Sequence, residues 1–279
     1  MLDTKRLPKG TSFDVEFLDV DAEPESPQPH RHEYFEVFWV LSGEGKQSID
    51  FVEYAMLPSR MFFITPGQVH DVHELPDNIY AISFNAEFID SQIKSQQPIG
   101  KLFLQNRSDV PFITLDEVGD QHLRSLIKII EDELALASPD RDMMSNLLVS
   151  FLRYVMRYLG PEAFSQTRQD QRMIQLLKLI DDNFSQHKDT RFYARQLAMT
   201  NKRLSELAKA QFGKSVTQLL HEKVLVESRR LLAFSNKNIK TVSYELGYDD
   251  ASYFCRFFKK QTGVSPQQFR VQWLGAQSL

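Results

Sequence analysis

The feature that most constrains the fold is a repeat near the C-terminal end of the sequence. When the chain is shifted by fifty positions, the segments around Leu204 and Phe254 align in their apolar, polar and glycine positions. Five identical pairs result: Lys209 and Lys259, Gln211 and Gln261, Gly213 and Gly263, Ser215 and Ser265, and Gln218 and Gln268. Repetition at such a period predicts two copies of one supersecondary unit.

Each copy reads as a helix, a tight turn and a second helix. In the second copy, an apolar-patterned segment over 241–246 precedes Gly247, which tolerates positive φ, and Asp249 or Asp250 offers an N-cap oxygen to the next helix. An ordinary amphipathic helical hairpin would show part of this pattern. Because it is duplicated, the pattern favours two helix-turn-helix motifs, over about 192–212 and 241–261.

The second helix of each copy has one apolar side and one polar side. Leu204, Leu207 and Ala208 align with aromatic residues of the second copy and predict the buried side. The outward positions at helical spacing are Lys202, Ser205, Glu206 and Lys209 in one copy, and Ser252, Cys255, Arg256 and Lys259 in the other.

Charge divides the chain into two parts. Residues 171–279 carry 18 Lys and Arg against 9 Asp and Glu, whereas residues 1–170 carry 15 against 28. This asymmetry predicts two domains with different partners, and the basic part suits a phosphate backbone. The single cysteine, Cys255, excludes an intrachain disulfide. No apolar run is long enough to span a bilayer or to act as a signal peptide, so we expect a cytoplasmic protein that does not enter the membrane.

Residues 1–120 read as β structure. Candidate strands at 12–18, 34–41, 45–51, 60–64 and 79–84 are separated by turn residues and predict a small antiparallel barrel or jelly roll. Helical spacing of apolar residues then predicts helices at 122–137 and 141–159, which would cover the barrel or form a dimer interface. A polar segment, 161–171, is the predicted linker. Residues 172–279 are predicted to be helical throughout, with helices at 173–184, 192–199, 201–212, 215–234, 241–246, 251–261 and 266–273.

A set of polar residues in the predicted barrel has the spacing of the cupin motifs, and residues 25–90 resemble a cupin barrel. Two imidazoles on one strand face, a carboxylate and a later imidazole could ligate a divalent metal. The same residues could instead line a pocket for a polar ligand, with two aromatic residues as its apolar walls. The metal candidates are His30, His32, Glu36 and His70, and the ligand-binding candidates are these four with Trp39 and Phe63. We expect neither a bound metal nor another cofactor.

The C-terminal part also resembles the AraC/XylS family of bacterial transcription regulators. The resemblance rests on the string from Ile239 through Leu246-Gly247-Tyr248-Asp249-Asp250 to Phe269-Arg270. It extends to the N-terminal part through the cupin-like residues. The fold class expected is α+β multidomain: an N-terminal β-barrel of cupin or jelly-roll type with a helical hairpin, and a C-terminal all-α domain with two helix-turn-helix motifs. The expected divisions are a sensor barrel at 1–120, a helical dimerisation segment at 121–160, a linker at 161–171 and a DNA-binding domain at 172–279.

This resemblance implies a sequence-specific DNA-binding transcription regulator, an activator that responds to a sugar or another metabolite. Two recognition helices would enter successive major-groove segments about ten base pairs apart. The implied partners are double-stranded promoter DNA, a small-molecule effector, RNA polymerase and a second copy of the chain. Carried over by position, the DNA-contacting residues are Asn201, Lys202, Ser205, Glu206 and Lys209 in one helix, and Ala251, Ser252, Cys255, Arg256 and Lys259 in the other.

Two other functions stay open at this point. A metal-dependent cupin enzyme fused to a DNA-binding domain would use the same histidines. An architectural regulator that senses nothing would bind DNA identically with any small molecule present. We expect no enzyme activity, because the sequence shows no Ser/His/Asp or Cys/His arrangement and no phosphate-binding glycine loop.

Overall fold

The computed structural model describes residues 3–8, 11, 13–19, 29–85, 88, 110–158 and 168–276. The chain divides into two compact units, one over residues 3–166 and one over residues 167–279. Within the parts of the chain that are described, every helix is too short or too polar to cross a membrane.

The N-terminal unit is built on ten described strands. They are β1 (Asp3–Lys5), β2 (Phe13–Asp19), β3 (His30–His32), β4 (Phe35–Ser42), β5 (Gly45–Ile49), β6 (Val52–Met56), β7 (Arg60–Ile64), β8 (Val69–Glu74), β9 (Asn78–Phe84) and β10 (Phe112–Thr114). The predicted strand at 60–64 matches β7, and those at 12–18, 34–41 and 79–84 are within one residue of β2, β4 and β9.

These strands form two five-stranded sheets, in the orders β1-β3-β8-β5-β6 and β10-β7-β4-β9-β2. Only β1 and β3 pair in parallel among the described strands. The expected α+β fold class is confirmed. Of the two predicted forms, barrel or jelly roll, the structure has two sheets and not a closed barrel, because no described strand pairs across from one sheet to the other. The sheets share a hydrophobic cluster that includes Phe38, Phe62 and Ile79 from one sheet and Ile49 and Val72 from the other.

The turn between β5 and β6 ends the predicted strand at 45–51 early. Asp50 and Phe51 have positive φ, 47° and 74°, and Ile49 pairs directly with Val52. Two residues with positive φ make a hairpin turn that matches the twist of the strands. Phenylalanine rarely adopts that conformation, so Phe51 is not recognisable from the sequence as a turn residue.

Strand β4 is buried on both faces. Phe38 and Val40 belong to the cluster between the sheets, whereas Val37 and Trp39 belong to a second cluster on the opposite face. Two helices cover that face, α1 (Glu117–Leu134) and α2 (Arg141–Tyr158). Helix α1 begins five residues before the predicted start because the Asp116 carboxylate caps it, accepting from the Gly119 amide at 2.7 Å. The predicted division between residues 120 and 121 therefore falls inside a helix.

The C-terminal unit is helical throughout its described length. Its helices are α3 (Arg168–Asn183), α4 (Thr190–Gln196), α5 (Asn201–Phe212), α6 (Val216–Phe234), α7 (Ile239–Glu245), α8 (Ala251–Thr262) and α9 (Pro266–Ala276). Residues 168–171 were predicted as linker and instead form the first turn of α3, while 161–167 lie outside the described residues. The other predicted helices are all present, with ends that differ by a few residues.

Each helix-turn-helix motif has its own core, and α6 runs through both. One cluster joins α3, α4, α5 and the first part of α6, through residues such as Leu204 and Leu220. The other joins the later part of α6 with α7 and α8, through residues such as Val224 and Phe254. Both second helices end in a left-handed glycine, at Gly213 with φ 65° and Gly263 with φ 82°.

Candidate nucleic-acid interface and buried polar cavity

Helix α5 presents the predicted polar side to solvent. Thr200 caps it, and its side-chain oxygen accepts from the Arg203 amide at 3.2 Å. Leu204, Leu207 and Ala208 are buried in the core below. Among the predicted contact residues, Ser205 is half-buried and four are exposed: Asn201, Lys202, Glu206 and Lys209.

Helix α8 repeats this arrangement. Asp250 caps it and accepts from the Ser252 amide at 2.8 Å. Phe254 and Phe258 are fully buried. Among its predicted contact residues, Ser252, Arg256 and Lys259 are exposed, whereas Ala251 and Cys255 are half-buried. Residues fifty positions apart thus share an environment along almost the whole of the two helices, which supports a structural duplication.

The two exposed sides carry opposite charges at one pair of equivalent positions, Glu206 and Arg256. The Glu206 carboxylate lies 3.7 Å from the Arg203 guanidinium. At the equivalent position, the Arg256 guanidinium lies 3.9 Å from the Asp250 carboxylate, and its carbon is 5.8 Å from the centroid of the Tyr253 ring. Arg203 and Tyr253 are equivalent, exposed positions that the sequence-based candidate set omitted. The alignment of the two copies places them beside Lys202 and Ser252 and was the signal that could have found them.

A separate candidate site lies in the N-terminal unit, where a cavity of about 240 Å³ opens against both sheets. This volume lies a little below the usual range for small-molecule sites. Of the six candidate ligand-binding residues, His30, Glu36 and His70 line it. The lining residues that sequence reasoning missed are Arg6, Leu7, Pro8, Asp14, Glu16, Leu18, Tyr34, Phe38, Val72, Leu75, Ala81 and Ser83.

Trp39 and Phe63 do not line this cavity, and their assignment as its apolar walls is wrong. Both side chains point away from it, into the cluster beneath α1 and α2, where the Trp39 ring centroid lies 5.9 Å from that of Phe151. Side chains alternate along a strand, so Trp39 faces opposite to Glu36 and Phe38. Phe38, which was not predicted, is the aromatic wall on β4.

Three imidazoles and a carboxylate cluster at the edge of the cavity, which His30, Glu36 and His70 line and His32 does not. The Nε2 atoms of His32 and His70 are 3.0 Å apart, and Glu36 Oε2 lies 3.7 Å from His32 Nδ1 and 3.6 Å from His70 Nε2. The rings of His30 and His70 are 4.3 Å apart between centroids. The structure therefore brings together all four predicted metal candidates, from β3, β4 and β8.

Burial keeps the imidazoles of His32 and His70 neutral. It lowers the pKa of His32 to about 3, with smaller contributions from His30 and Lys5. Burial likewise holds the pKa of His70 well below its usual value, assisted by the neighbouring His32 and His30. The contacts of Glu36 with these two rings are therefore not ion pairs at neutral pH.

Neutral imidazoles are the form that binds metal, and this donor set fits a divalent ion. One ligand nitrogen from each of His30, His32 and His70 lies within 4.8 Å of the others. A zinc–nitrogen bond of about 2.1 Å would require nitrogens no more than roughly 4.2 Å apart, so small ring movements would suffice. The Nδ1 atoms of His32 and His70 are buried and have no hydrogen-bond partner among the described residues.

Charges at the cavity favour some ligands over others. Asp14, Glu16 and Glu36 contribute three carboxylates. The one guanidinium, on Arg6, already donates two hydrogen bonds to Glu33, each of 2.7 Å. The cavity thus offers hydrogen-bond acceptors next to the aromatic faces of Tyr34 and Phe38, an arrangement suited to hydroxyl groups or a cation and poorly suited to an anion.

Comparisons with known proteins match both units. Residues 12–148 match a family model described as an AraC-like ligand binding domain, and residues 193–272 match one described as a helix-turn-helix domain. The arabinose operon regulatory protein of Salmonella typhimurium is 25% identical over 233 residues, which cover 83% of this chain and 81% of that protein. The transcriptional activator RhaR of Cronobacter sakazakii is 23% identical over 255 residues, which cover 88% and 87%.

Similar solved structures include ToxT from Vibrio cholerae, with 16% identity and a TM-score of 0.44 over 94% of this chain and 98% of that one. The C-terminal domain of AraT from Geobacillus stearothermophilus has 30% identity and a TM-score of 0.36 over 38% of this chain and 88% of that one. The two domain models, matched in this order along relatives of similar length, show that the chain belongs to the AraC family of transcription regulators.

Proposed function

We propose that this protein is a transcription activator that binds double-stranded promoter DNA through α5 and α8 and responds to a small molecule held in the N-terminal cavity. The observation that carries the DNA-binding part is the matched exposure of the two recognition helices. Each hides an apolar side in its own core and leaves a polar, largely basic side uncovered among the described residues. Helices of this kind insert into successive major-groove segments about one helical turn apart.

The exposed residues divide into base-reading and backbone-holding groups by their chemistry. Arg256 has the geometry for a bidentate contact with guanine, and Glu206 can accept from a cytosine amine. No ion pair is recorded for Lys202, Lys209 or Lys259 within the described part of the chain, so their ammonium groups are available to phosphates. Asn201, Ser205, Ala251, Ser252 and Cys255 complete the proposed contact surface.

The test begins with selection of bound sequences from a pool of random 30-base-pair duplexes by the full chain. Arg256→Ala should then cost about 1–3 kcal/mol on the selected duplex and relax the preference at one base position. Lys259→Ala is the matched control. It should weaken binding to all sequences alike and lower the salt dependence by about one counterion. Equal weakening of every sequence by Arg256→Ala would contradict its base-reading role, and selection of no sequence would contradict the DNA-binding proposal itself.

For the effector, the cavity's acceptor-rich lining supports a neutral polyhydroxy compound such as a sugar. Binding would favour one arrangement of the protein and so change which promoter segments it holds.

Calorimetric titration of the full chain with a panel of neutral monosaccharides should yield a ligand, whereas the matching sugar phosphates should not bind. Glu36→Gln should abolish this binding, and Glu53→Gln, whose carboxylate pairs with Lys46 outside the cavity, should not. If no neutral sugar binds, the sugar assignment falls. If, in addition, the selected duplex is bound identically with and without each compound, an architectural regulator is the better description.

A homodimer is supported by apolar side chains left uncovered on the helical hairpin. Val118 and Ile129 on α1 are 57% and 50% exposed, and Met143 on α2 is 49% exposed. Replacing Ile129 with Lys should shift the protein towards a monomer in sedimentation velocity, while Val52→Lys, at an equally exposed apolar residue on β6, serves as a control for added charge. The dimerisation segment at 121–160 stays a prediction, as does contact with RNA polymerase.

A metal site is the second candidate for the cavity, favoured by the three clustered imidazoles and the partnerless Nδ1 atoms. A bound divalent ion would supply a Lewis acid that His30, His32, His70 and Glu36 hold in place. Elemental analysis of the purified protein should then give one metal per chain, which His32→Ala removes. Metal below one-tenth of an equivalent, even after incubation with zinc, would exclude this candidate. We propose a regulator without enzyme activity, which acts in the cytoplasm where the chromosome lies.

A further inference from the structure

The two helix-turn-helix motifs are joined by more than the shared helix α6. Residues 184–188, which connect α3 to α4 and are here named the bridging loop, contact both motifs. Phe184 packs against both hydrophobic clusters. A loop held from two sides can fix an angle that a single helix, free to bend, would leave variable.

On the side of the first motif, the bridging loop is anchored by α4. The Tyr193 side chain is fully buried, and its hydroxyl donates to the His187 carbonyl at 2.7 Å. The His187 ring stacks on Phe192, with centroids 3.7 Å apart and planes 8° from parallel. These contacts tie the loop's backbone to the first motif.

On the side of the second motif, Lys188 makes the connection. Its ammonium donates to the Ser185 carbonyl within the loop at 3.3 Å, and to the Leu246 and Gly247 carbonyls at 2.5 and 2.9 Å. The nitrogen also lies 4.6 Å from the Tyr248 ring centroid. A cation placed at the C-terminal end of α7 meets the carbonyl groups that the helix leaves without partners.

The backbones meet closely at the same place. Gly247 has φ 74°, and a Cβ atom there would lie 1.6 Å from the Ser185 carbonyl oxygen. Gly213 and Gly263, which also have positive φ, would have nothing within 4 Å of a Cβ atom. The turn of the second motif is therefore seated directly on the bridging loop.

We propose that Lys188 is a positioning residue that locks the second helix-turn-helix motif onto the first, and so sets the spacing and angle at which α5 and α8 meet DNA. Lys188 touches no base in this role. The effect on how α5 and α8 meet DNA rests on the proposed function, whereas the contact between the two motifs is a property of the free protein. Fixing two binding elements in register raises the effective concentration of the second once the first has bound.

The lock is tested first without DNA. Spin labels at Gln211 and Gln261, the equivalent exposed ends of α5 and α8, report the distance between the motifs in the full chain with Cys255 replaced by Ser. Electron–electron resonance should give one narrow distance distribution. Lys188→Met keeps the aliphatic part of the side chain but removes its three N–H donors, and it should broaden this distance distribution. Lys178→Met makes the same charge change at an exposed residue of α3 and should leave the distribution narrow. Tyr193→Phe releases the loop from the other side and should broaden it too.

Binding to the selected duplex gives the second readout. Lys188→Met should bind the full site roughly tenfold more weakly, yet bind each isolated segment as the unaltered protein does. Inserting one to five base pairs between the two segments should reduce the affinity of Lys188→Met less than it reduces the affinity of the unaltered protein. An unchanged distance distribution in Lys188→Met would overturn the lock, whatever Tyr193→Phe does. A narrow distribution that broadens as expected in a protein that selects no DNA sequence would retain the lock and refute the proposed function.

Discussion

The close approach at Gly247 makes a prediction that the structure can quantify. Gly247→Ala and Gly263→Ala both force alanine into the left-handed region, at φ 74° and 82°. That strain costs about 1–2 kcal/mol at either position. Only at Gly247 does the added methyl group also overlap the Ser185 carbonyl oxygen, at 1.6 Å. The pair of substitutions therefore isolates the steric contribution of the joint.

The overlap cannot be relieved without moving backbone. A carbon and a carbonyl oxygen need about 3 Å or more between them, so the bridging loop must retreat by roughly 1.5 Å. That retreat also separates Lys188 from the carbonyls of Leu246 and Gly247. Forced displacement of packed structure adds about 1–3 kcal/mol, which gives a total of roughly 2–5 kcal/mol for Gly247→Ala.

Hydrogen exchange followed by mass spectrometry measures the opening free energy of peptides from α6 to α9 directly. Gly263→Ala should lower it by about 1–2 kcal/mol, and Gly247→Ala by roughly 2 kcal/mol more. In Gly247→Ala the loss should extend to peptides that cover the bridging loop. Two variants of equal stability, within about 0.5 kcal/mol, would show that the turn and the loop are not in contact and would refute the reasoning.

Three further predictions concern the N-terminal domain and the helix ends. The folded pKa of His32, about 3, lies below the unfolded value of 6.5, so its contribution is present above pH 6.5 and lost as the pH falls towards 3. Urea unfolding of a Trp273→Phe protein, followed by Trp39 fluorescence, should show a stability that falls below pH 6.5. His32→Gln should lessen this fall by about 1.4 kcal/mol per pH unit and leave the contribution of His70. A pH dependence that is the same with and without His32→Gln would contradict this. Tyr80→Phe deletes a hydroxyl that donates to Glu131 at 2.8 Å and should cost about 1 kcal/mol in the same assay, with Tyr54→Phe as the comparison. Ser215→Ala breaks the capping box at α6 and should cost about 1 kcal/mol by hydrogen exchange; no change in α6 protection would argue against the cap.

Sequence reasoning succeeded in the C-terminal domain because its signals are local. Caps and glycines lie at fixed offsets from apolar residues, and α5 was predicted with its observed bounds, Asn201–Phe212. Duplication then checked each prediction against a second copy. The contacts of Lys188 with Leu246 and Gly247 escaped this reasoning, since they join residues nearly sixty positions apart and have no equivalent in the repeat.

The N-terminal domain was harder because its information is not local. Strands β3 and β8 together carry four histidines, one arginine and two acidic residues, so their composition does not indicate β structure. The period of two correctly groups Trp39 with Val37, and Glu36 with Phe38. It cannot tell which group meets the cavity when both faces of β4 are covered. That choice depends on α1 and α2, whose docking is a tertiary event.

The opposite charges at Glu206 and Arg256 have a consequence for the genome. Under the proposed DNA binding, two recognition helices that differ at an equivalent position prefer different bases in the two DNA segments that they contact. A single chain would therefore bind its site in one orientation only, and inverting the site in the DNA would reverse the direction in which the bound protein points. The orientation of the site would then determine which of two divergently transcribed genes the bound protein points towards.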